Sequence, residues 1–177
     1  MLHEHDNVEL IDGQLIPMSP INRPHYACVN RMTRHFILLT EAISADVTVS
    51  VQNPLHIDAH NVPEPDLALF RGADAEAASR NALLVVEVSD TTLDYDRNTK
   101  LPLYAEAGIP EVWIVNLAAR QVEVYRDPKG SDYTLRLLCD ASASVDIAAL
   151  PDIEPLEVSD LLPPEDTADA SPKGNTA

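Results

Sequence analysis

Apolar residues along the chain change period several times, and each change marks an element. Val8-Glu9-Leu10-Ile11-Asp12-Gly13-Gln14-Leu15-Ile16 alternates around an Asp-Gly pair, which predicts a β-hairpin. Met18-Ser19-Pro20 leads into a loop. From about Arg23 to Ala45, the positions Ala27, Val29, Met32, Phe36, Ile37, Leu38 and Leu39 recur at helical spacing, with Pro24 where a first-turn proline is tolerated. This predicts a long amphipathic helix.

Asp46 to Ser50 and Asn53 to Ile57 read as strands, followed by a turn-rich loop from Asp58 to Glu64. Asp66 opens the apolar run Leu67-Ala68-Leu69-Phe70, and after a polar, alanine-rich connection at 72–81 comes Ala82-Leu83-Leu84-Val85-Val86-Glu87-Val88, of strand length and β-branched character. Ser89-Asp90-Thr91-Thr92 offers caps for a helix from about Tyr95 to Ala107, which Pro102 should kink or divide and which Gly108 and Pro110 stop. Glu111 to Asn116 reads as a buried strand. Gln121 to Tyr125 and Tyr133 to Leu138 read as an antiparallel pair across the turn Asp127-Pro128-Lys129-Gly130. The alternation of strands and helices gives an α/β chain.

The 177 residues fit one domain with appendages, expected over 1–161, and no internal repeat is visible. From Leu162 the chain runs through Pro163-Pro164 into small, polar and acidic residues without periodicity, so 162–177 is expected to be a disordered acidic tail. No apolar run approaches the roughly 20 residues that span a bilayer, and Met1-Leu2-His3-Glu4-His5-Asp6 lacks a basic or hydrophobic leader, so a cytoplasmic protein without a membrane partner is expected. Cys28 and Cys139 lack zinc-ligand spacing and read as buried thiols. The net charge of -17 argues against loose binding to bulk nucleic acid, although nine acids against Lys173 from Asp140 onward carry nearly half of the excess.

Three ionisable groups stand out against this background. Asp66 and Glu87 lie in apolar, strand-like sequence, where an ionised carboxylate is costly unless it is paired or binds a cation. On neighbouring strands the two would suit one hard divalent ion, and Lys100 adds an ammonium from the helix that follows. Each acid taken alone reads more readily as a surface cap at a strand end.

Several short segments, in order and spacing, resemble the PD-(D/E)XK phosphodiesterase superfamily and, within it, the Uma-two branch of restriction-endonuclease-like proteins. They are Glu9 with Asp12-Gly13, Met18-Ser19-Pro20, His25, Pro65-Asp66-Leu67, Val86-Glu87-Val88-Ser89, Lys100 with Tyr104, and Ala107 to Val115, and the resemblance covers about residues 8 to 160. It departs from the superfamily pattern at Ser89, two residues after Glu87, where a lysine is common. In the Uma-two branch the lysine sits on the following helix, matched here by Lys100. The resemblance implies a restriction-endonuclease-like mixed β-sheet flanked by α-helices, with the N-terminal hairpin beside it.

It also implies metal-dependent endonuclease chemistry on DNA, with Mg²⁺ or Mn²⁺ held by Asp66, Glu87 and the Val88 carbonyl. Lys100, its pKa lowered near the cation, would position or deprotonate the attacking water or stabilise phosphate oxygens. Glu9 would contact the metal or a second ion, and His25 the scissile phosphate. Exposed or capping roles remain open for both. Asp94 and Asp96 read as helix-dipole stabilisers, Tyr104 as packing on the lysine stem, and Trp113 as core. A metal role for His3, Glu4, His5 and Asp6 is improbable at a frayed terminus.

The alternative reading is a catalytically inactive binding or regulatory module on the same fold. A helical DNA-binding regulator has only Arg23, Arg31 and Arg34 in its favour. Because duplex cleavage needs two cuts, a homodimer is plausible.

Overall fold

The hairpin forms as its sequence predicts. Strands β1 (Val8–Ile11) and β2 (Gln14–Pro17) pair antiparallel across Asp12 and Gly13, whose positive φ angles of 49° and 73° match the two central residues of a type I′ turn. The computed structural model describes residues 8–43, 46–72 and 78–164. The leading segment 1–7, part of the polar connection at 73–77, and the expected tail from 165 on lie outside the described residues. Leu162, at the expected start of that tail, is buried in the core.

Helix α1 (Arg23–Ala42) begins at Asn22, whose side-chain oxygen accepts the His25 N–H at 3.1 Å. Its buried stripe is Cys28, Val29, Met32, Phe36 and Thr40, so Ile37 and Leu38 of the expected apolar face are exposed instead. The run Phe36 to Leu39 is too apolar to reveal which side faces inward; only packing decides it.

Six strands, β3 (Val47–Val51), β4 (Leu67–Arg71), β5 (Ala82–Ser89), β6 (Glu111–Asn116), β7 (Gln121–Lys129) and β8 (Asp132–Asp140), form one sheet in that order. All neighbours are antiparallel except β5 and β6. A parallel pair needs a crossover, which runs through α2 (Leu93–Tyr95), a π-helical turn at Asp96–Lys100 and α3 (Leu101–Glu106).

Period-2 alternation divides the core. Leu67, Leu69, Val86, Val88, Trp113 and Val115 pack on one face with Met32 and Phe36 of α1. Ala68, Phe70, Val85, Val112 and Ile114 pack on the other with Leu101, Tyr104 and Ala105 of α3. Trp113 is fully buried, edge-on to Phe36, as expected of a core residue. Both cysteines are free; Cys28 is buried with its thiol pushed up to about 12 by desolvation, and Cys139 is half-buried.

Two local expectations are corrected and one is decided. Asn53 to Ile57 is not a strand: Pro54 has no N–H to give, and Leu55 and Ile57 donate instead to Pro63 and Asn61 within their own loop. The β7–β8 hairpin turns at Gly130-Ser131, at the far end of the expected Asp127-Pro128-Lys129-Gly130, because β7 continues through Pro128 and Lys129, which pair with Tyr133 and Asp132. Of the kink or division expected at Pro102, division is found: Pro102 sits in the first turn of α3, and the turn before it widens to π spacing, with Leu101 N–H donating to Asp96 C=O.

A C-terminal wrap had no counterpart in the sequence reading. Strands β9 (Ser144–Val145) and β10 (Leu156–Glu157) and helix α4 (Val158–Leu161) add Val145, Ile147, Leu156, Val158 and Leu161 to the α1-side core. Buried Glu111 fastens this wrap, accepting from Trp113 Nε1 at 2.7 Å, Arg126 Nη2 at 2.8 Å and the Ala148 N–H at 2.8 Å. Replacing Glu111 by Ala strands three donors at once and should lower unfolding free energy by about 3 kcal/mol in urea titration. A loss under about 1 kcal/mol would remove this role.

Glu123 on β7 is fully buried between Arg97 and Arg136 and also accepts from Tyr125 at 2.7 Å. Burial alone would raise its pKa, but the Arg97 and Tyr125 hydrogen bonds and the arginine charges hold it below the ordinary carboxylate value of 4.5. A depressed folded pKa contributes stability that is complete above the unfolded value and is lost as pH falls through the folded one. Below pH 4.5 the melting temperature of the wild type should therefore fall more steeply than that of Glu123→Gln; parallel curves would contradict this.

Candidate active site

Alternation along β4 and β5 fixes where the two carboxylates point. Asp66 immediately precedes β4 in the phase of Ala68 and Phe70, and Glu87 shares the phase of Val85, so both side chains lie on the α3 face of the sheet. The two strands are paired up to Leu67 and Val86, which leaves the next edge of β5 free. There the Val88 N–H donates to Asp66 Oδ2 at 2.8 Å. Asp66 also receives His25 Nε2 at 3.1 Å on the same oxygen and Gln52 Nε2 at 3.3 Å on the other. Gln52 holds a left-handed φ of 48°, a cost tolerated where its backbone N–H also bonds Asp66 C=O.

Glu87 is 3% exposed and is met from the crossover by two groups. The Tyr104 hydroxyl donates to its Oε1 at 2.5 Å, and Lys100 Nζ lies 3.2 Å from the same oxygen. Tyr104 therefore acts on the carboxylate, beyond the expected packing on a lysine stem. Lys100 is 5% exposed and contacts a second buried acid, Glu9 Oε2, at 3.1 Å.

Glu9 reaches this point because the hairpin is bonded to the loop that precedes Asp66. Leu10 exchanges backbone bonds with Val62, Gly13 N–H donates to His60 C=O, and the Glu64 N–H donates to Glu9 Oε2 at 3.3 Å. The Tyr95 hydroxyl holds the other oxygen of Glu9 at 2.9 Å.

The π-helical turn carries a further buried acid. Asp96, expected as a surface helix-dipole residue, is 4% exposed and accepts from Ser89 Oγ at 2.6 Å and Thr92 Oγ1 at 2.8 Å. Asp96 and Lys100 open and close this turn and both line the cleft.

The charge state follows from burial and neighbours. Desolvation pushes Glu87 up to about 8 against the opposing pull of Lys100, and it also raises Asp96. For Lys100, burial alone would lower the pKa, but Glu87, Glu9 and Asp96 reverse it and hold the ammonium above its ordinary value. The expected lowering belongs to a site holding a metal ion; among the protein groups alone, three carboxylates around one ammonium favour its charged form. For His25, burial pulls downward and the Asp66 hydrogen bond and charge more than offset it, leaving its pKa raised.

Glu9, His25, Asp66, Glu87, Val88 and Lys100 all line one cleft of about 320 Å³ between the hairpin, α1 and the crossover. The six residues expected to bind metal or act in catalysis thus line a single cleft. Tyr95, Asp96, Gln52 and the hydroxyl of Tyr104 were missed as parts of the site; the spacing of Asp96 and Lys100 was the one signal available, and it depends on a π turn that sequence does not reveal.

Residues 1–161 match the sequence profile of the Uma2 family, described as "Putative restriction endonuclease". Among solved structures, the chain resembles "a putative nuclease belonging to DUF820 from Anabaena variabilis ATCC 29413". The TM-score is 0.70 at 15% identity, over 91% of this chain and 92% of that one, which is a likeness of fold. No curated protein matches the chain. A profile match over most of the sequence, on a restriction-endonuclease-like sheet, places the chain in the Uma2 family.

Proposed function

We propose that this member of a nuclease family is a Mg²⁺- or Mn²⁺-dependent phosphodiesterase, an endonuclease acting on DNA, in one domain spanning 1–161. The observation that carries the reading is the meeting of Asp66, Glu87 and Lys100, distant in sequence, in a single cleft.

The donor set fits a hard cation. Two carboxylates on one face of neighbouring strands supply oxygen, and the Val88 carbonyl lies on the same strand edge as its N–H, which already reaches Asp66. Among the described residues no three His, Cys, Asp or Glu side chains meet at ligand spacing, so water and substrate oxygens would complete an octahedron, as Mg²⁺ prefers. When bound, the ion supplies charge neutralisation at phosphorus and acidifies the attacking water.

The chain's own groups do the rest. Asp66 and Glu87 would hold the ion. Lys100, set between Glu9 and Glu87, is placed to donate to a phosphate oxygen and to orient the attacking water. Glu9 and Tyr104 position that ammonium and Glu87 respectively. His25, charged more readily because of Asp66, donates to a non-bridging phosphate oxygen.

Purified protein should hydrolyse labelled DNA with Mn²⁺ and lose that activity on adding EDTA. Asp66→Ala and Glu87→Ala should each abolish it; a rate in Glu87→Ala equal to that of the wild type would end the enzymatic reading in favour of an inactive module. Lys100→Met should reduce turnover by about 10²–10⁴-fold while calorimetry still detects Mn²⁺ binding. Loss of metal binding with turnover retained would refute the division of roles.

A further inference from the structure

The cleft is asymmetric, and the asymmetry bears on what it accepts. One wall, from the end of β2 to the start of α1, presents Ile16, Pro17, Met18, Pro20 and Ile21. Ile21 is 48% exposed, so this wall is open apolar surface beside the carboxylates and not part of the core. The other walls carry six carboxylates, and Lys100 is the only lysine or arginine lining the cleft among the described residues. Its charge is already shared by Glu9 and Glu87.

A duplex is ordinarily held by many lysine and arginine contacts to its two rows of phosphates. This cleft offers none beyond Lys100. Its volume of about 320 Å³ is at the low end of small-ligand clefts, which run from roughly 300 to 1,000 Å³, and suits one nucleotide-sized group. What the wall does offer is apolar contact for a flat ring. A base is free to make that contact only when it is not stacked in a helix, and base contact is a sequence-tolerant source of affinity for single strands beside the charge of the groove.

We infer that the substrate is a single-stranded nucleic acid, one unstacked base of which lies on the wall formed by Ile16, Pro17, Met18, Pro20 and Ile21 while its phosphate faces Asp66, Glu87 and Lys100. This rests on the phosphodiesterase reading above. The base supplies the binding that missing cationic side chains do not. A strand end or flexible loop satisfies the geometry; a continuous duplex does not.

The test uses the full chain with Mn²⁺ and three fluorescein-labelled oligonucleotides of about 12 nucleotides, within usual single-strand site sizes. They are a base-bearing single strand, the same strand annealed to its complement, and a single strand of equal length made of abasic sugar-phosphate. Both cleavage and fluorescence anisotropy are recorded. The base-bearing single strand should be cut and bound at least about tenfold better than the other two. Ile21→Ser, at an exposed position, should raise KM for the base-bearing strand about fivefold and narrow the anisotropy preference for that strand over the abasic one.

Equal or better handling of the duplex, or no distinction between base-bearing and abasic strands, overturns the inference while hydrolysis itself stands. If nothing is cut, the anisotropy ranking still decides. Preference for the base-bearing strand then supports the base-binding wall without the hydrolytic reading, and no preference removes both.

Discussion

A lysine ammonium buried between two carboxylates ties this molecule together. Lys100 comes from the crossover, Glu87 from the middle of the sheet and Glu9 from the N-terminal hairpin, and the three meet within about hydrogen-bond distance. Taking any one of these charges out of water alone would be strongly unfavourable. Together they are tolerable, and each fixes the position of the element that carries it. The hairpin, which shares no sheet with the central strands, is aligned on the cleft by this contact and by its backbone bonds to the loop at 60–64.

The ammonium beside Glu87 comes from the crossover and not from the strand that carries Glu87. Positions 87 and 89 share a face of β5, so a lysine at 89 would project beside Glu87. Here Ser89 occupies that place, and its small hydroxyl donates to Asp96. The chain then widens into a π turn, a geometry that recurs at functional sites, and Lys100 enters the cleft from the opposite wall. Ser89, Asp96 and Lys100 thus belong to one arrangement that sets an ammonium beside Glu87.

Local rules made part of this legible. Asp12-Gly13 announced the hairpin, and the apolar runs at Asp66 and Glu87 announced two strands, whose adjacency came with the family resemblance and not from local pattern. The failures lay where distant contacts outweigh local pattern. Asn53 to Ile57 looked extended, but Pro54 and the bonds within the 55–63 loop removed it from the sheet. The wrap from Val145 to Leu161 has two-residue strands and a four-residue helix, too short for any period to register, and is held by Glu111 and Arg126 of distant strands. The carboxylate surroundings of Lys100 were not visible, because the hairpin acid and Asp96 had no evident route to it. Sequence picked out groups that meet in one cleft, but not the neighbours that surround them.

On the proposed reading, an acidic chain acting on a polyanion would need a cation as much for assembly of substrate and site as for chemistry, since six carboxylates line the cleft. The most direct check is an anomalous-diffraction map of crystals soaked in Mn²⁺. A single peak should lie roughly 2.0–2.3 Å from an oxygen of Asp66 and an oxygen of Glu87, with Lys100 still beside Glu87. A map with no peak there, or with manganese bound away from both carboxylates, would contradict the account.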